Sequence, residues 1–138
     1  MTPLLVDASI GIGWVYPSQA SADADRILSE FGTRFDVVVP SLWLLEVANG
    51  LLAAERRRLL GSRDRADALA ALARLPLVID EESTRNAWGE TSRLARKYSL
   101  SVYDATYLET ASRRRLPLIT RDKALRRAAS RAGLRTTI

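Results

Sequence analysis

The chain of 138 residues contains no cysteine and no histidine. Without cysteine it has no disulfide, no thiolate metal site and no thiol nucleophile, which suits a reducing cytoplasm. Without histidine it has no Ser-His-Asp triad, no His-ligated zinc and no imidazole proton shuttle. Any chemistry must therefore use carboxylates, hydroxyls, Arg, Lys or Tyr. Carboxylates without imidazole or thiolate suit hard cations such as magnesium or manganese better than zinc.

The sequence also lacks an evident targeting segment and an uninterrupted apolar run of membrane-spanning length. The longest candidate, residues 37–54, carries one charged side chain, Glu46. Its length alone would suffice to cross a bilayer. Pro40, Asn49 and Gly50 interrupt it, however, and a charge at its centre would be costly in lipid. We interpret the stretch as a strand, a turn and a buried helix, and we expect a soluble, cytoplasmic protein.

Short apolar runs alternate with helical patterns along the chain. Strands are predicted at 4–6, 37–39 and 118–120, with 77–79 as a strand or a connector and 134–138 as an edge strand. Helices are predicted at 21–31, 41–60, 62–75, 82–98, 103–115 and 122–131. This alternation favours an α/β layered sandwich with a mainly parallel sheet. The length, the 47% apolar content and the absence of repeats or linkers predict a single domain over residues 1–138.

Charge is unevenly distributed. The chain has a net charge of +5, but residues 111–138 contain nine Lys and Arg against one acid, Asp122, a net charge of +8. Residues 1–110 contain twelve basic and fifteen acidic side chains, a net charge of −3. Such asymmetry suggests a polyanionic partner, and a solvated arginine-rich surface explains it equally well.

Four of the sixteen carboxylates lie among apolar residues in the sequence, and two of them come early in the chain. Asp7 follows the first predicted strand, at the end where α/β sheets face their ligands. An Asx turn or a helix cap is the alternative role. Glu46 borders the apolar face of a predicted helix, where a buried carboxylate needs a cation or a hydrogen-bond donor. An ion pair with one of the many arginines would also satisfy it.

The other two acids lie at predicted helix starts. Asp104 shares a helix face with Leu108 and Ala111, and a plain N-terminal helix acid is the alternative. Asp122 follows a strand and precedes a helix, which a helix N-cap would also explain. If all four acids converge, their repulsion requires a bound cation, and hard divalent ions accept such oxygen clusters. Most other acids, Asp80 among them, lie in polar stretches and are expected at the surface.

The four acids belong to the segments LLVDASIGIGW, SLWLLEVANGL, SVYDATYLETA and LPLITRDKAL. In this order and spacing the segments resemble those of the PIN-domain nucleases. The short form is similar to the VapC-type toxins of bacterial type II toxin–antitoxin systems. The resemblance extends from Leu4 to Asp122 and beyond, and Ser9 occupies the position of the small polar residue after the first acid. It implies a three-layer, Rossmann-like sandwich with a central, mainly parallel sheet.

The resemblance also implies a site and an activity. By position it makes Asp7, Glu46, Asp104 and Asp122 the ligands of Mg²⁺ or Mn²⁺, and it adds the Thr120 hydroxyl as a fifth catalytic group. The implied activity is metal-dependent endoribonuclease cleavage of RNA, in which water attack leaves a 5′-phosphate and a 3′-hydroxyl. A homodimer and a cognate antitoxin protein are implied as well.

Three other functions compete with this interpretation. A non-catalytic RNA-binding or regulatory module of the same fold would use the acids structurally and would need no magnesium. A phosphohydrolase of the haloacid-dehalogenase type would need a second Asp two residues after Asp7, where Ser9 stands. A receiver-type phosphorylation domain would need an acidic pair after the first strand, and Asp7 is followed by Ala8.

Basic and aromatic side chains are candidates for contacts outside the acid site. The basic ones are expected either to contact phosphates or to form a solvated or partner-facing surface: Arg113, Arg114, Arg115, Arg121, Lys123, Arg126 and Arg127. Tyr103 and Tyr107 would stack on bases or lie at the edge of the core. The tryptophans are expected in the core or at an interface: Trp14, Trp43 and Trp88. Contributors to an antitoxin groove would be Trp14, Ile27, Leu28, Trp43 and Leu44.

Overall fold

The computed structural model describes residues 1–138. Its strands are β1 (Thr2–Val6), β2 (Phe35–Pro40), β3 (Val78–Asp80) and β4 (Leu118–Ile119), and they form one parallel sheet in the order β3-β2-β1-β4. The helices are α1 (Ala8–Val15), α2 (Ala22–Ser29), α3 (Leu42–Arg56), α4 (Ser62–Ala73), α5 (Ser92–Tyr98), α6 (Val102–Arg114) and α7 (Lys123–Arg131). They flank the sheet, so the predicted three-layer α/β class is confirmed.

The strands at the centre of the sheet are continuous apolar runs. Residues 4–6 of β1 and residues 37–39 of β2 are all buried. A parallel sheet covered by helices requires this composition, because neither face of a strand meets water. Leu5 pairs with Val38 on one side and with Leu118 on the other. The carboxyl ends of the three strands therefore lie along one edge of the sheet, where ligands bind in such folds.

Helix α1 begins directly after β1, where the sequence pattern predicts no helix. Its sequence ASIGIGWV contains two glycines, which have low intrinsic helix propensity. Packing explains the helix, because a Cβ on Gly11 would overlap the indole of Trp43 on α3. A Cβ on Gly50 of α3 would come within 2.6 Å of Ile12 Cδ1. The glycines thus let α1 and α3 approach closely, and this brings the end of β1 next to α3.

Two predicted helices differ from the observed ones because of backbone geometry. The helix expected over 41–60 ends at Arg56, since Arg58 adopts a left-handed conformation with φ of 60°. The Leu59 amide then donates to the Ala54 carbonyl at 2.9 Å and closes the helix end. The helix expected over 82–98 is divided into short 3₁₀ and π turns followed by α5, because Gly89 departs from helical geometry (φ −104°, ψ −107°).

The edge strand predicted at residues 134–138 does not form. That segment has no regular secondary structure, although the Leu118 amide donates to the Arg135 carbonyl at 2.9 Å. One hydrogen bond fixes the segment beside β4 without extending the sheet. In this fold no helix is long and apolar enough to cross a membrane, which agrees with the interpretation of residues 37–54 as a strand, a turn and a helix.

Asp80 is buried, which corrects its expected surface position. Its carboxylate is only 1% exposed and receives Arg113 Nη2 at 2.8 Å and Arg114 Nε at 2.6 Å. Arg113 also donates to the buried Glu109 at 2.7 Å, and Glu109 accepts from Asn86 at 3.0 Å. These contacts tie the end of β3 to the last turns of α6.

Candidate active site

The carboxylate of Asp7 lies at the carboxyl edge of the sheet, between the ends of β1 and β4. It is 6% exposed, and it accepts hydrogen bonds from the Ser9 hydroxyl at 2.5 Å and from the Thr120 hydroxyl. The Thr120 oxygen in turn accepts from the Asp122 amide at 2.9 Å. The Asp7 carbonyl accepts from Trp43 Nε1 at 3.0 Å. Asp7 is therefore held through both its side chain and its backbone.

Glu46 reaches the same region from α3. Its Oε1 accepts a hydrogen bond from the Tyr107 hydroxyl on α6 at 2.5 Å. Tyr107 is 1% exposed, so it belongs to the core and is not available to stack on bases. The sequence pattern alone does not predict this contact. The available signal was the spacing on α6, because Tyr107 lies three residues after Asp104 and therefore on a neighbouring part of the same helix face.

Asp104 and Asp122 lie at the starts of α6 and α7. Asp104 is half-buried in the first turn of α6, whose N-cap is the Ser101 side chain. Asp122 is exposed and caps α7, with its Oδ1 accepting from the Leu125 amide at 2.9 Å. Asp7 likewise caps α1 by accepting from the Ser9 amide at 3.1 Å. The capping roles considered for Asp7 and Asp122 are thus real, and they hold these carboxylates in fixed positions.

The electrostatics of the site are those of uncompensated negative charge. Burial raises the pKa of Asp7 above its usual value, against the hydrogen bonds from Ser9 and Thr120. Burial also raises the pKa of Glu46, and the charges of Asp104 and Asp7 raise it further. Asp104 has its pKa raised by burial and then by the charge of Asp122. None of the four acids forms a salt bridge, so Glu46 has Tyr107 as its partner rather than an arginine.

The donor chemistry of the site fits a hard divalent cation. All of its donors are oxygens, and the charges of neighbouring carboxylates raise the pKa of Glu46 and of Asp104, which shows that the acids repel one another. As the side chains stand, no three Asp or Glu groups converge tightly enough to form a ready metal-binding cluster. Asp7 is the anchored member, because hydroxyl groups hold both of its oxygens.

Comparison with known proteins identifies the family. The family profile described as "PIN domain" matches residues 4–131. The chain belongs to the PIN-domain family. A comparison with curated protein sequences gives no match.

Solved structures similar to this PIN domain share its fold. VapBC2 from Rickettsia felis, crystallised with a DNA fragment from its promoter, aligns with a TM-score of 0.69 at 14% identity, covering 98% of this chain and 97% of that chain. FitAcB from Neisseria gonorrhoeae gives 0.67 at 17% identity, covering 98% and 96%. VapC20 from Mycobacterium tuberculosis, a sarcin-ricin loop cleaving toxin, gives 0.62 at 19% identity, covering 95% of each chain.

Four of the candidate basic side chains of this PIN domain fall into two groups. Arg113 and Arg114 are paired with the buried carboxylates of Asp80 and Glu109, which balance their charge. Arg121 and Arg126 contact only backbone and amide oxygens near the acids: Arg121 Nη1 donates to the Gln19 carbonyl at 2.5 Å and approaches Gln19 Oε1 at 3.3 Å, and Arg126 Nη2 donates to the Thr120 carbonyl at 2.6 Å. The second group retains its full charge beside the candidate site.

The aromatic and apolar side chains of the PIN domain are distributed differently from the expectation for an antitoxin groove. Trp43 and Ile27 are buried in the core, so they cannot line a surface groove. Leu28 and Leu44 are exposed and remain available to a partner. Trp88 is 97% exposed and therefore does not belong to the core.

Proposed function

We propose that this PIN-domain protein is a divalent-metal-dependent endoribonuclease and the toxin of a toxin–antitoxin pair. The supporting observation is the set of four carboxylates near the carboxyl edge of the sheet that have no cationic partner. Three of them, Asp7, Glu46 and Asp104, have raised pKa values caused first by burial. Partly buried carboxylates that repel one another cost the fold free energy through their desolvation. A bound cation would offset that cost.

Each residue of the site would have a separate role. Asp7, Glu46 and Asp104 would hold Mg²⁺ or Mn²⁺, and Asp122 would act through water or orient the nucleophile. A divalent ion bound there would supply a hydroxide near neutral pH and neutralise charge on the phosphate. Thr120 would keep the Asp7 carboxylate oriented through its hydroxyl. In-line attack by water would leave a 5′-phosphate and a 3′-hydroxyl, and no imidazole is needed.

The toxin part of the proposal is supported by the solved structures that share the fold. VapC20 is named as a toxin, and another solved structure with this fold is a toxin–antitoxin complex from Klebsiella pneumoniae. We infer a cognate antitoxin that contacts exposed apolar side chains of the first helices, of which Leu28 and Leu44 are accessible. We also propose a cytoplasmic location, because the RNA substrate would be found there. A homodimer, which the resemblance implies, completes the proposal.

The proposal is tested by Asp104→Asn with Asp64→Asn as the matched control. Both acids lie in the first turn of a helix, but Asp64 is exposed on α4, away from the site. Expression of the wild type and of Asp64→Asn should arrest growth and generate new RNA 5′-phosphate ends, mapped by sequencing. Asp104→Asn should do neither, because removing one charge lowers cleavage by roughly 100-fold or more.

Purified protein gives the second arm of this test. Wild-type protein should cleave RNA with Mg²⁺ or Mn²⁺ and stop when EDTA is added. Cleavage by Asp104→Asn at the wild-type rate would show that the acids are not the catalytic site. RNA binding without cleavage under any divalent cation would instead favour a non-catalytic module of the same fold.

A further inference from the structure

A cavity of about 300 Å³ lies beside the candidate active site, on the side of β4 and α2. It adjoins the acids directly, since Thr120 lines it and the hydroxyl of that residue binds Asp7. The lining residues are Ile10, Ser21, Ala22, Asp23, Thr120, Arg121 and Arg126. We refer to this cavity as the Arg121–Arg126 cleft.

The two arginines of the cleft are fixed in place without being neutralised. Arg121 donates to the Gln19 carbonyl, and Arg126 donates to the Thr120 carbonyl. Neither guanidinium forms a salt bridge with a carboxylate, in contrast to Arg113. A guanidinium has five N–H donors, so each of the two keeps donors free for a ligand. The carbonyl contacts reduce the entropy that the side chains would lose on binding.

The Ser21 hydroxyl and the Asp23 carboxylate complete the polar lining of the cleft. The Ser21 oxygen accepts from the Ala24 amide at 3.2 Å, which leaves the hydroxyl hydrogen free to donate. Asp23 is the single acid of the lining and weakens the attraction for an anion. The balance remains positive, with two guanidinium groups against one carboxylate.

We propose that the Arg121–Arg126 cleft binds a backbone phosphate of the RNA strand whose neighbouring phosphodiester lies at the acids. Guanidinium forks match phosphate oxygens in a bidentate geometry. The inference rests on the proposed nuclease function, because it assigns this cleft to the substrate of that site. A strand that places one phosphate beside Asp7 brings the next one close to Thr120 and the cleft. Contacts of this type position the strand and carry no sequence information.

The test is equilibrium binding of a short single-stranded RNA by fluorescence anisotropy, in EDTA and over a series of salt concentrations. Arg121→Gln and Arg126→Gln should each weaken binding about tenfold at low salt. Each should also reduce the slope of log K against log salt by about 0.7, the value for one phosphate contact on a single strand. Asp23→Asn should tighten binding several-fold, because it removes the only acid of the cleft.

Arg127→Gln is the matched control. It removes the same charge one position along α7, but Arg127 lines a different cavity with Tyr98, Ala124 and Arg131. Equal losses in Arg126→Gln and Arg127→Gln would mean that only total charge matters and would overturn the proposal. Wild-type RNA affinity in both cleft variants would also overturn it. Cleft variants that keep their RNA affinity and lose only the affinity for an acidic peptide, used as competitor, would overturn it as well. If Arg126→Gln does not fold, Arg121→Gln decides the question by itself.

Binding in EDTA is independent of catalysis, so the two proposals fail separately. A protein that shows the expected salt slopes but cleaves nothing retains the cleft and loses the nuclease assignment. A protein that cleaves RNA with unchanged slopes in the cleft variants retains the nuclease and loses the cleft.

Discussion

The hydroxyl of Tyr107 is the only side-chain hydrogen-bond donor that reaches Glu46, and it comes from the helix that carries Asp104. The position of Glu46 on α3 is thereby coupled to α6. Because Tyr107 is buried, its ring position is set by packing, and the hydroxyl follows the ring. We infer that Tyr107 positions Glu46 without touching substrate.

Tyr107→Phe separates packing from positioning at this residue. The ring remains, but Glu46 loses its hydrogen-bond donor, so its carboxylate is free to move away from the other acids of the site. We expect RNA binding in EDTA to be unchanged and the cleavage rate at limiting Mn²⁺ to fall about 10- to 100-fold, as for other groups that orient ligands. Rising Mn²⁺ should restore part of the rate. Tyr98→Phe, at the end of α5, is the control; equal rates in both variants would contradict the positioning role.

At the residue scale, the sequence predicts the positions of the acids better than it predicts the side chains that contact them. Asp7, Asp104 and Asp122 were placed at strand ends and helix starts by local pattern, and the structure has them there. The partners were out of reach because they are distant in sequence. Asp80 lies in a polar stretch, and only its contact with Arg113, 33 positions away, accounts for its burial.

At the scale of elements, the packing of α1 against α3 holds the site together. Trp43 fills the space above Gly11 and donates to the Asp7 carbonyl, so one indole fixes both the helix contact and the end of β1. Burial of a large aromatic at such a crossing leaves no room for added volume.

Gly11→Ala should therefore destabilise the protein despite the higher helix propensity of alanine. The added methyl overlaps the Trp43 ring, and overpacking of this kind costs about 2 kcal/mol of unfolding free energy. Gly50→Ala is the matched control, since its methyl meets only the flexible end of Ile12. That variant should stay within about 1 kcal/mol of wild type. Urea denaturation measures both; a Gly11→Ala variant as stable as Gly50→Ala would refute the packing argument.

The two central strands were predicted accurately, for a physical reason. The strands of a covered parallel sheet are continuous apolar runs, and these stand out in the sequence at residues 4–6 and 37–39. Helix α1 was missed because packing, not propensity, forms it. The ends of α3 and α5 depend on backbone conformations at Arg58 and Gly89 that composition does not reveal.

For the whole molecule, the buried and half-buried carboxylates that have shifted pKa values form two populations with opposite responses to pH. The acids near Asp7 have raised pKa values, so their contribution to stability is complete at low pH and is lost as pH rises through those values. Asp80 behaves in the opposite way. Burial would raise its pKa, but the hydrogen bonds from Arg113 and Arg114 outweigh burial and lower it to about 2 from an ordinary value of 3.8.

Asp80→Asn isolates the second population. Folding favours the ionised form of Asp80, so its stabilisation is complete above about pH 4 and is lost as pH falls through about 2. We expect the variant to unfold at neutral pH with a free energy lower by about 2 kcal/mol, a difference that shrinks towards pH 2. Glu90→Gln, which breaks an exposed pair with Arg93, should change stability far less, since water and salt screen that pair. Urea denaturation gives the unfolding free energies of wild type and variant at each pH, and their difference cancels the contribution of the acids near Asp7. A difference that stays constant between pH 7 and pH 2 would contradict the role of Asp80.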